Sequence, residues 1–411
     1  LQGASYCHPH RCESSVISND MVEIYDYFID RNLMELLSDT GINDYTKSVR
    51  LNFKIRDLWN RLVLDVPENE FAKALDSLYV NHVGEVILDS LLSKWNRRWH
   101  VSLDSAQSEW LLSRHNHYFR CRSFKKYVSK EKGLQKVEGM VYNAGREGGL
   151  VGVECSSWRE NTYFNAFVEA GEAKRFSVVR SLDGYAEGMG FFMGLSANRP
   201  LVIDFEEESC SEDVASQWHV GSCWETITEE EFMANEAANE YVVDDSDADF
   251  ELVDANKTMI QHYFPPKHSY RTLQGGHTNC WKDVLGTRFQ GDSIRGARII
   301  SGGNGKSTAT WRATLPKGYY DVQVFVYKSL TIPGASLPSV INHYTVYYGD
   351  EQEEIALSLD EALGNKQQGW VSLGNFDFPG GGVKITLSNK ENNQNQDIAI
   401  IADAVKFVRL E

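Results

Sequence analysis

Apolar residues recur at helical spacing in the first part of the chain. Phe71, Ala74 and Leu78 would share one face of a helix, and Val86 to Trp95 continue in the same way. A helix of this kind buries its apolar face and leaves its polar face in water. We therefore predict that residues 1–127 are mainly helical.

The pattern changes near Tyr127, where short runs of alternating or continuous apolar residues begin. These runs, predicted as strands, are 137–142, 150–155, 163–169, 174–180, 191–195 and 201–205. Glycine-rich turns separate them, and no helical pattern lies between them, which favours antiparallel pairing. This predicts a small immunoglobulin-like β-sandwich over residues 128–208. An acidic stretch with little regular pattern, 209–272, follows as a predicted connector.

Alternation is strongest in the last part of the chain. Ala309, Trp311 and Ala313 alternate with threonine and arginine, as expected of a strand with one buried face. Further runs of this kind lie at 320–327, 343–348, 369–378, 383–388 and 398–408. Such a series predicts a jelly-roll β-sandwich over residues 273–411. The predicted class is thus a multidomain α+β protein.

Five motifs follow one another in this last part: TATW at 308–311, LPKGYYDV at 315–322, HYTV at 343–346, GWVSLG at 369–374 and IADAVKF at 401–407. In order and spacing they resemble the golvesin C-terminal-like domain, over the last third of the chain only. Proteins with this domain are mostly bacterial and often exported, and many are labelled xanthan lyases, amidases or oxidoreductases. The domain is an accessory module in them. The resemblance therefore implies a fold and an extracytoplasmic setting in bacteria, and no particular reaction.

The net charge of the chain limits the classes of molecule that it can bind. The chain has 411 residues and a net charge of −17, which repels nucleic-acid phosphates and argues against a nucleic-acid partner. Acidic runs at 206–208, 229–231 and 244–249 supply much of this charge, and we interpret them as solvated surface. No apolar run is long enough to predict a membrane span. The chain begins at Leu1, so we expect a mature form or a piece of a longer protein.

Candidate metal sites in the sequence are weak. Cys7, His8, His10 and Cys12 offer four ligands without the spacing of a zinc site, and we interpret them as a frayed terminus. In 245–256, three aspartates have the spacing of the first ligands of a calcium loop. The glycine and glutamate that such a loop requires at its sixth and twelfth positions are absent, which excludes an EF-hand. Loose calcium binding by Asp245, Asp247 and Asp249 stays open as an alternative. We predict no metal site.

Cofactor and nucleophile motifs are also weak. The run Gly302–Ser307 lacks the first glycine of a phosphate loop, because Ile300 stands there, and it precedes a strand. No glycine-rich dinucleotide fingerprint is found, so we predict no cofactor. Cys155 could act as a nucleophile with His219 or His277 as base. Because Cys155 ends an apolar strand, a buried structural cysteine is the preferred interpretation, and we predict no catalytic residue.

Aromatic residues in the last part suggest a sugar-binding surface. By alternation Trp311 and Tyr320 face the core, whereas Tyr327, His343 and Tyr347 lie on the opposite faces of their strands. We predict that these last three residues contact a glycan. The alternative is that they line a second buried face.

Asp403 lies within the apolar run of the final motif. A lone carboxylate there is costly to bury unless it accepts hydrogen bonds. We therefore predict a structural role for Asp403, as an acceptor of hydrogen bonds from a neighbouring strand. An outward-facing position is the alternative.

These features favour a non-catalytic, exported ancillary or scaffold module. Its C-terminal β-sandwich would bind a polysaccharide or a cell-envelope glycan, or contact neighbouring domains of a longer chain. The alternative function is that of a hydrolase or lyase acting on cell-wall or polysaccharide substrates. A site that gathers two carboxylates and a histidine would favour this alternative.

Overall fold

The computed structural model describes residues 27–28, 31–62, 64, 70, 73–74, 76–77, 80, 88–99, 111–112, 114, 117–156, 161–182, 188–194, 196–198, 202–208, 211–233, 239–255, 279–286, 289–291, 294–328, 340–349, 351–390 and 399–410. These residues are 54% strand and 18% helix. Their strands form five sheets. Among them, no helix combines the length and the apolarity needed to cross a bilayer.

The predicted α+β class, with a mainly helical N-terminal region, is wrong. The helices of 1–127 whose bounds are described are α1 Leu33–Ser38, α2 Asp44–Leu62 and α3 Leu88–Trp99. Strand β1, Phe119–Ser129, already begins inside the region predicted as helical. The helix predicted around Phe71 falls mostly outside the described residues.

Strand β1 contains a β-bulge, and for this reason the alternation of apolar and polar residues did not predict it. The register between β1 and its neighbour shifts between Arg122 and Lys125, and Ser123 has a left-handed backbone with φ of 56°. An extra residue of this kind interrupts the alternation of faces along a strand. The strand therefore lacks the period of two that would identify it.

The described residues cluster into two compact units, one ending at Met233 and the other containing the residues from 239 onward. We call them the N-terminal and the C-terminal unit. The predicted domain limits after residues 127, 208 and 272 stay predictions.

The described strands of the N-terminal unit form two sheets. Its further strands and helices are β2 Leu134–Asn143, β3 Gly149–Ser156, β4 Asn161–Val168, β5 Ala173–Ser181, β6 Gly188–Phe192, β7 Val202–Asp204, β8 Glu206–Glu208, α4 Glu212–Ala215, β9 Gly221–Ile227 and α5 Glu229–Met233. One sheet has the order β8-β1-β2-β5-β9 and the other the order β4-β3-β6-β7, and all neighbouring strands but β1 and β8 are antiparallel. Val137 and Phe176 of the first sheet share one core with Val153 and Phe191 of the second. The six strands predicted between residues 137 and 205 are confirmed as β2 to β7.

The described strands of the C-terminal unit form three sheets. Its elements are β10 Glu240–Val243, β11 Phe250–Val253, β12 Lys282–Leu285, β13 Gly296–Ser301, β14 Thr308–Leu315, β15 Gly318–Tyr327, β16 Ile341–Tyr348, β17 Glu351–Ser358, α6 Leu359–Leu363, β18 Gln368–Phe378, β19 Gly381–Ser388, β20 Ala399–Ala402 and β21 Val405–Arg409. The four-stranded sheet has the order β10-β21-β15-β18. The five-stranded sheet has the order β11-β14-β19-β16-β17, and the three-stranded sheet the order β12-β13-β20.

The main core of this unit lies between the four-stranded and the five-stranded sheets. Trp311, Tyr344 and Ile385 enter it from one sheet, and Tyr320 and Phe407 from the other. Fully burying a large apolar side chain contributes roughly 1.5–3 kcal/mol. The inward orientation predicted for Trp311 and Tyr320 is confirmed, since both are fully buried.

A second, smaller core involves the three-stranded sheet. Val284, Phe289 and Ile401 pack there against Tyr327 of β15. The last predicted strand, 398–408, is accordingly divided at Asp403. Strand β20 pairs with β13, whereas β21 pairs with β15 and β10. The chain therefore passes from one sheet to another within this run.

Candidate functional site

The side of the five-stranded sheet that faces away from the main core carries aligned polar side chains. We call this side the outer face. Its first row crosses four strands, with Arg312 opposite Lys384, Lys384 opposite Tyr347, and Tyr347 opposite Gln352. Residues adjacent to the row on two of these strands, Trp311 before Arg312 and Ile385 after Lys384, are buried in the core. Successive side chains of a strand point to opposite faces, so the row points outward.

A second row of the outer face is rich in threonine. It runs across all five strands in the order Glu251, Thr310, Thr386, Thr345 and Glu354. The hydroxyl oxygens of Thr310 and Thr386 lie 3.2 Å apart and share a hydrogen bond. Thr310 is buried, whereas Thr386 and Thr345 are half-buried, so the hydroxyl groups of Thr386 and Thr345 can pair with those of a sugar.

His343 belongs to a third row, opposite Ser388 on β19 and Ala356 on β17. The side chain of His343 is half-buried. Two of the three predicted glycan contacts, His343 and Tyr347, therefore lie on the same face of β16, with Thr345 between them.

Tyr347 and Arg312 are held by local contacts. The ammonium group of Lys384 lies 3.6 Å from the centroid of the Tyr347 ring, a cation–π contact. The guanidinium of Arg312 lies 2.7 Å from a carboxylate oxygen of Glu251. The first row thus places an aromatic ring, an ammonium group and a guanidinium group side by side.

Tyr327, the third predicted glycan contact, lies elsewhere. It is 3% exposed and its ring centroid is 5.5 Å from that of Phe289, within the smaller core. The glycan contacts predicted for Tyr327, His343 and Tyr347 stay predictions.

Buried carboxylates form a separate feature of the C-terminal unit, which we call the carboxylate cluster. Asp244 and Asp245 follow β10, and Asp403 lies between β20 and β21; all three are buried. Arg298 of β13 contacts Asp283 of β12, and its Nε lies 2.8 Å from Oδ2 of Asp245. The interpretation of 244–249 as solvated surface is therefore wrong for Asp244 and Asp245.

Asp403 accepts hydrogen bonds from the backbone. The N–H of Gln290 approaches its two carboxylate oxygens at 3.2 and 3.3 Å. Gly291 follows with a φ of +123°, and a Cβ there would lie 1.9 Å from the carbonyl oxygen of Ile294, so the loop that presents Gln290 requires glycine. The donor is a loop residue, whereas the sequence predicts a donor on a strand. The carbonyl oxygen of Asp403 also accepts from the Trp311 indole at 3.0 Å.

Burial shifts the titration of the whole cluster. It raises the pKa of Asp403 well above its ordinary range, with further increases from the charges of Asp244 and Asp245. Burial also raises the pKa of Asp244 to about 6. For Asp245, burial and the adjacent Asp244 charge together raise the pKa to about 7. These aspartates are therefore protonated, at least in part, near neutral pH.

The predicted alternative of loose calcium binding gains no support from the geometry. Asp245 is engaged by Arg298, and a carboxylate oxygen of Asp247 accepts from the N–H of Asp244 at 2.8 Å. Within the described ranges, no three acidic, histidine or cysteine side chains are arranged to hold a metal ion. The cysteines and histidines of 7–12 fall outside those ranges.

Cys155 occupies the core of the N-terminal unit. It is 1% exposed, and burial raises the pKa of its thiol to about 11. A thiol of this kind is neither accessible nor ionised at neutral pH. His219 is exposed and its Nδ1 lies 3.0 Å from the carbonyl oxygen of Gln217, while His277 is outside the described residues.

The aromatic residues of the last part of the chain indicate only a portion of the outer face. Arg312 and Lys384 occupy outward positions of strands that alternation had already identified. The charged residues at outward positions of strands β14 and β19 could have predicted a polar binding surface on this side of the sheet.

Sequence comparison gives one partial match. A family model described as "Bacterial toxin 35" matches residues 255–312. This is less than half of the chain and does not establish a family. No curated protein matches the chain.

Structure comparison gives distant similarities. An α-L-fucosidase from Vibrio sp. strain EJY3 matches with a TM-score of 0.18 and 17% identity, over 25% of this chain and 20% of the fucosidase. A β-glucuronidase from Bacteroides uniformis matches with a TM-score of 0.22 and 10% identity, over 71% of this chain and 30% of the enzyme. The ANXUR1 extracellular domain from Arabidopsis thaliana matches with a TM-score of 0.22 and 9% identity, over 72% of this chain and 90% of the ANXUR1 domain. Scores and identities this low do not establish a shared fold or function.

Proposed function

We propose that this chain is a non-catalytic glycan-binding module and that the outer face is its binding surface. The observation that carries the proposal is the alignment of Tyr347 with cationic and hydroxyl-bearing side chains across adjacent strands. Polysaccharides are long and present many hydroxyl groups. A sheet face that offers donors and acceptors over several strands suits such a ligand better than a small closed pocket would.

The chemistry of the outer face matches the two kinds of surface on a sugar. An aromatic ring offers an apolar face on which the C–H groups of a sugar ring can stack, and Tyr347 adds a polar hydroxyl. Thr345 and Thr386 lie in the adjacent row and can pair with sugar hydroxyls. His343 lies one row further along the same face.

A non-catalytic role is supported by the position of the carboxylates that do gather. Asp244, Asp245 and Asp403 are buried, so a polysaccharide chain cannot reach them. Cys155 is a buried thiol in the N-terminal unit. A hydrolase or lyase needs its acid, base or nucleophile within hydrogen-bond reach of the substrate.

A toxin activity is not part of the proposal. Within the matched segment 255–312, β12 pairs with β13, but β13 also pairs with β20, and β14 pairs with β19 and β11, which lie outside the segment. The segment is therefore a portion of a larger folded unit.

The setting we propose is extracytoplasmic and bacterial. It rests on the resemblance of the five C-terminal motifs to the golvesin C-terminal-like domain, whose members are often parts of exported proteins. The module would hold a polysaccharide or cell-envelope glycan for, or contact, a neighbouring domain of a longer chain.

Replacing Tyr347 by alanine is expected to weaken glycan binding by about tenfold, or about 1.4 kcal/mol, because the stacking surface is lost. Affinity electrophoresis against a panel of bacterial and plant polysaccharides would first identify a ligand, and calorimetry would then compare the variants. Tyr319→Ala is the matched control, since Tyr319 is 46% exposed on β15 of the four-stranded sheet. Failure of the wild-type chain to bind any glycan would refute the proposal, as would equal binding by Tyr347→Ala.

A further inference from the structure

Two cations stand directly opposite each other on the outer face. Arg312 of β14 and Lys384 of β19 are cross-strand partners, and both point outward. Side chains in such pairs lie about 4.5–5.5 Å apart at Cβ, and like charges at this position destabilise a sheet. An arrangement that costs stability, in a chain with a net charge of −17, calls for an explanation.

Each cation has a different local partner. Arg312 pairs with Glu251, but the two side chains are half-exposed, and an exposed ion pair is worth only about 0–1 kcal/mol. Lys384 forms no ion pair within the described part of the chain, and its ammonium group lies over Tyr347. Neither contact neutralises both cations together, so the pair retains positive charge at the centre of the face.

The neighbours of the pair have the opposite charge only at the sheet edges. Glu251 is on edge strand β11 and Glu354 is on edge strand β17. Between these edges, the outward residues on the three inner strands include no acidic residue; besides the two cations they are threonine, serine, tyrosine, histidine, glycine and isoleucine. An anion would therefore be attracted to the centre of the outer face and repelled by the carboxylates at its edges.

We propose that the outer face selects acidic glycans and binds a sugar carboxylate between Arg312 and Lys384. This inference rests on the proposed function and adds the class of ligand. The guanidinium of Arg312 can take a carboxylate through two parallel N–H groups, exchanging the weak Glu251 pair for the ligand. Lys384 adds a point charge on the other side of the same carboxylate.

Tyr347 places the sugar ring that carries this carboxylate. It is the cross-strand neighbour of Lys384, one strand spacing or about 4.8 Å away. A uronic acid residue that stacks on Tyr347 thereby has its carboxylate beside Lys384. The neutral sugars of the same chain extend along the threonine row.

The test compares oligogalacturonides with their methyl esters, which keep the sugar backbone and remove the charge. Calorimetry on the full chain is expected to show at least tenfold tighter binding of the acid form, with the difference shrinking as salt concentration rises. Lys384→Gln and Arg312→Gln are each expected to lower affinity for the acid form to that for the ester. Lys317→Gln, which removes an exposed cation from the turn between β14 and β15, is the control and should leave both affinities unchanged.

The outcomes separate the inference from the proposed function. Equal binding of acid and ester by the wild-type chain would overturn the selectivity for acidic glycans while leaving glycan binding intact. A selectivity that survives both glutamine substitutions would overturn the assigned residues. If this chain binds no glycan of either form or of the wider panel, the proposed function fails and the inference fails with it.

Discussion

The C-terminal unit is expected to become more stable as the pH falls from about 8 to about 5. Asp244 and Asp245 have native pKa values raised by burial to about 6 and about 7, from an ordinary value of 3.8. In this window the native unit holds protons that the unfolded chain has released, so stability is fully present at acidic pH and is lost as the pH rises through the native pKa values. A rise of about two pKa units in one carboxyl corresponds to on the order of 3 kcal/mol.

The charges around the carboxylate cluster support an increase in stability as the pH falls. Asp244, Asp245 and Asp403 repel one another when ionised, and Asp247 adds a further negative charge beside Asp244 and Asp245. Arg298 contacts Asp245 and Asp283. Arg295 and the N–H of Gln290 favour the ionised form of Asp403 but do not offset its burial. Because Asp244, Asp245 and Asp403 are all buried, their full ionisation would place several negative charges close together in the interior, which favours the protonated forms.

Substitutions at Asp403 separate charge from hydrogen bonding. Asp403→Asn keeps an acceptor for the Gln290 N–H and removes the charge, so it should raise stability near pH 8 and change little near pH 5. Asp403→Ala removes the acceptor and should cost about 1–3 kcal/mol near pH 5, but less near pH 8, because it also removes the carboxyl group that is costly to ionise there. Hydrogen exchange of peptides from β15 and β21, followed across pH, would report the stability of this unit alone.

An exposed carboxylate of the same unit provides the control. Asp377 of β18 is exposed, and Asp377→Asn should shift hydrogen exchange equally little at both pH values. Faster exchange in wild type at pH 5 than at pH 8, after correction for intrinsic rates, would contradict the raised pKa values.

A fragment comprising residues 273–411 is expected to lack a cooperative unfolding transition, whereas a fragment comprising 239–411 should have one. The shorter fragment loses β10 and β11, which pair with β21 and β14. It also loses Val243 from the main core and Phe250, which packs against that core.

The size of this effect follows from burial. Each large apolar side chain removed from the core costs roughly 1.5–3 kcal/mol, against a total stability of only about 5–15 kcal/mol for a domain. Loss of Asp245 further leaves Arg298 with one of its two carboxylate partners. Thermal melts followed by circular dichroism would compare the two fragments. A cooperative melt for 273–411 equal to that of 239–411 would instead favour the domain limit that the sequence predicts after residue 272.

Alternation along the chain was a reliable guide to the strands that have one buried face. It identified β14, β15 and β16 together with the inward positions of Trp311 and Tyr320. It failed where a strand departs from period two. The bulge at Ser123 concealed β1, and the change of sheet at Asp403 made β20 and β21 read as one strand.

The candidate site depends on register, which alternation does not contain. The sequence indicates that Arg312, Lys384 and Tyr347 face outward, but not that they are neighbours. Their adjacency comes from the strand order β14-β19-β16, in which the strands are far apart along the chain. The burial of Asp244 and Asp245 could not be predicted from the sequence either, because an acidic run ordinarily indicates solvated surface.

The location of glycan binding on the outer face can be measured by hydroxyl-radical footprinting of the full chain with and without a saturating oligosaccharide. We expect the ligand to protect Tyr347 and His343 on β16 from oxidation. Tyr319 on the four-stranded sheet and Tyr163 in the N-terminal unit, both exposed in the free chain, should be oxidised equally with and without ligand. Protection of Tyr319 or Tyr163 without protection of Tyr347 would contradict the assignment of the outer face as the binding surface.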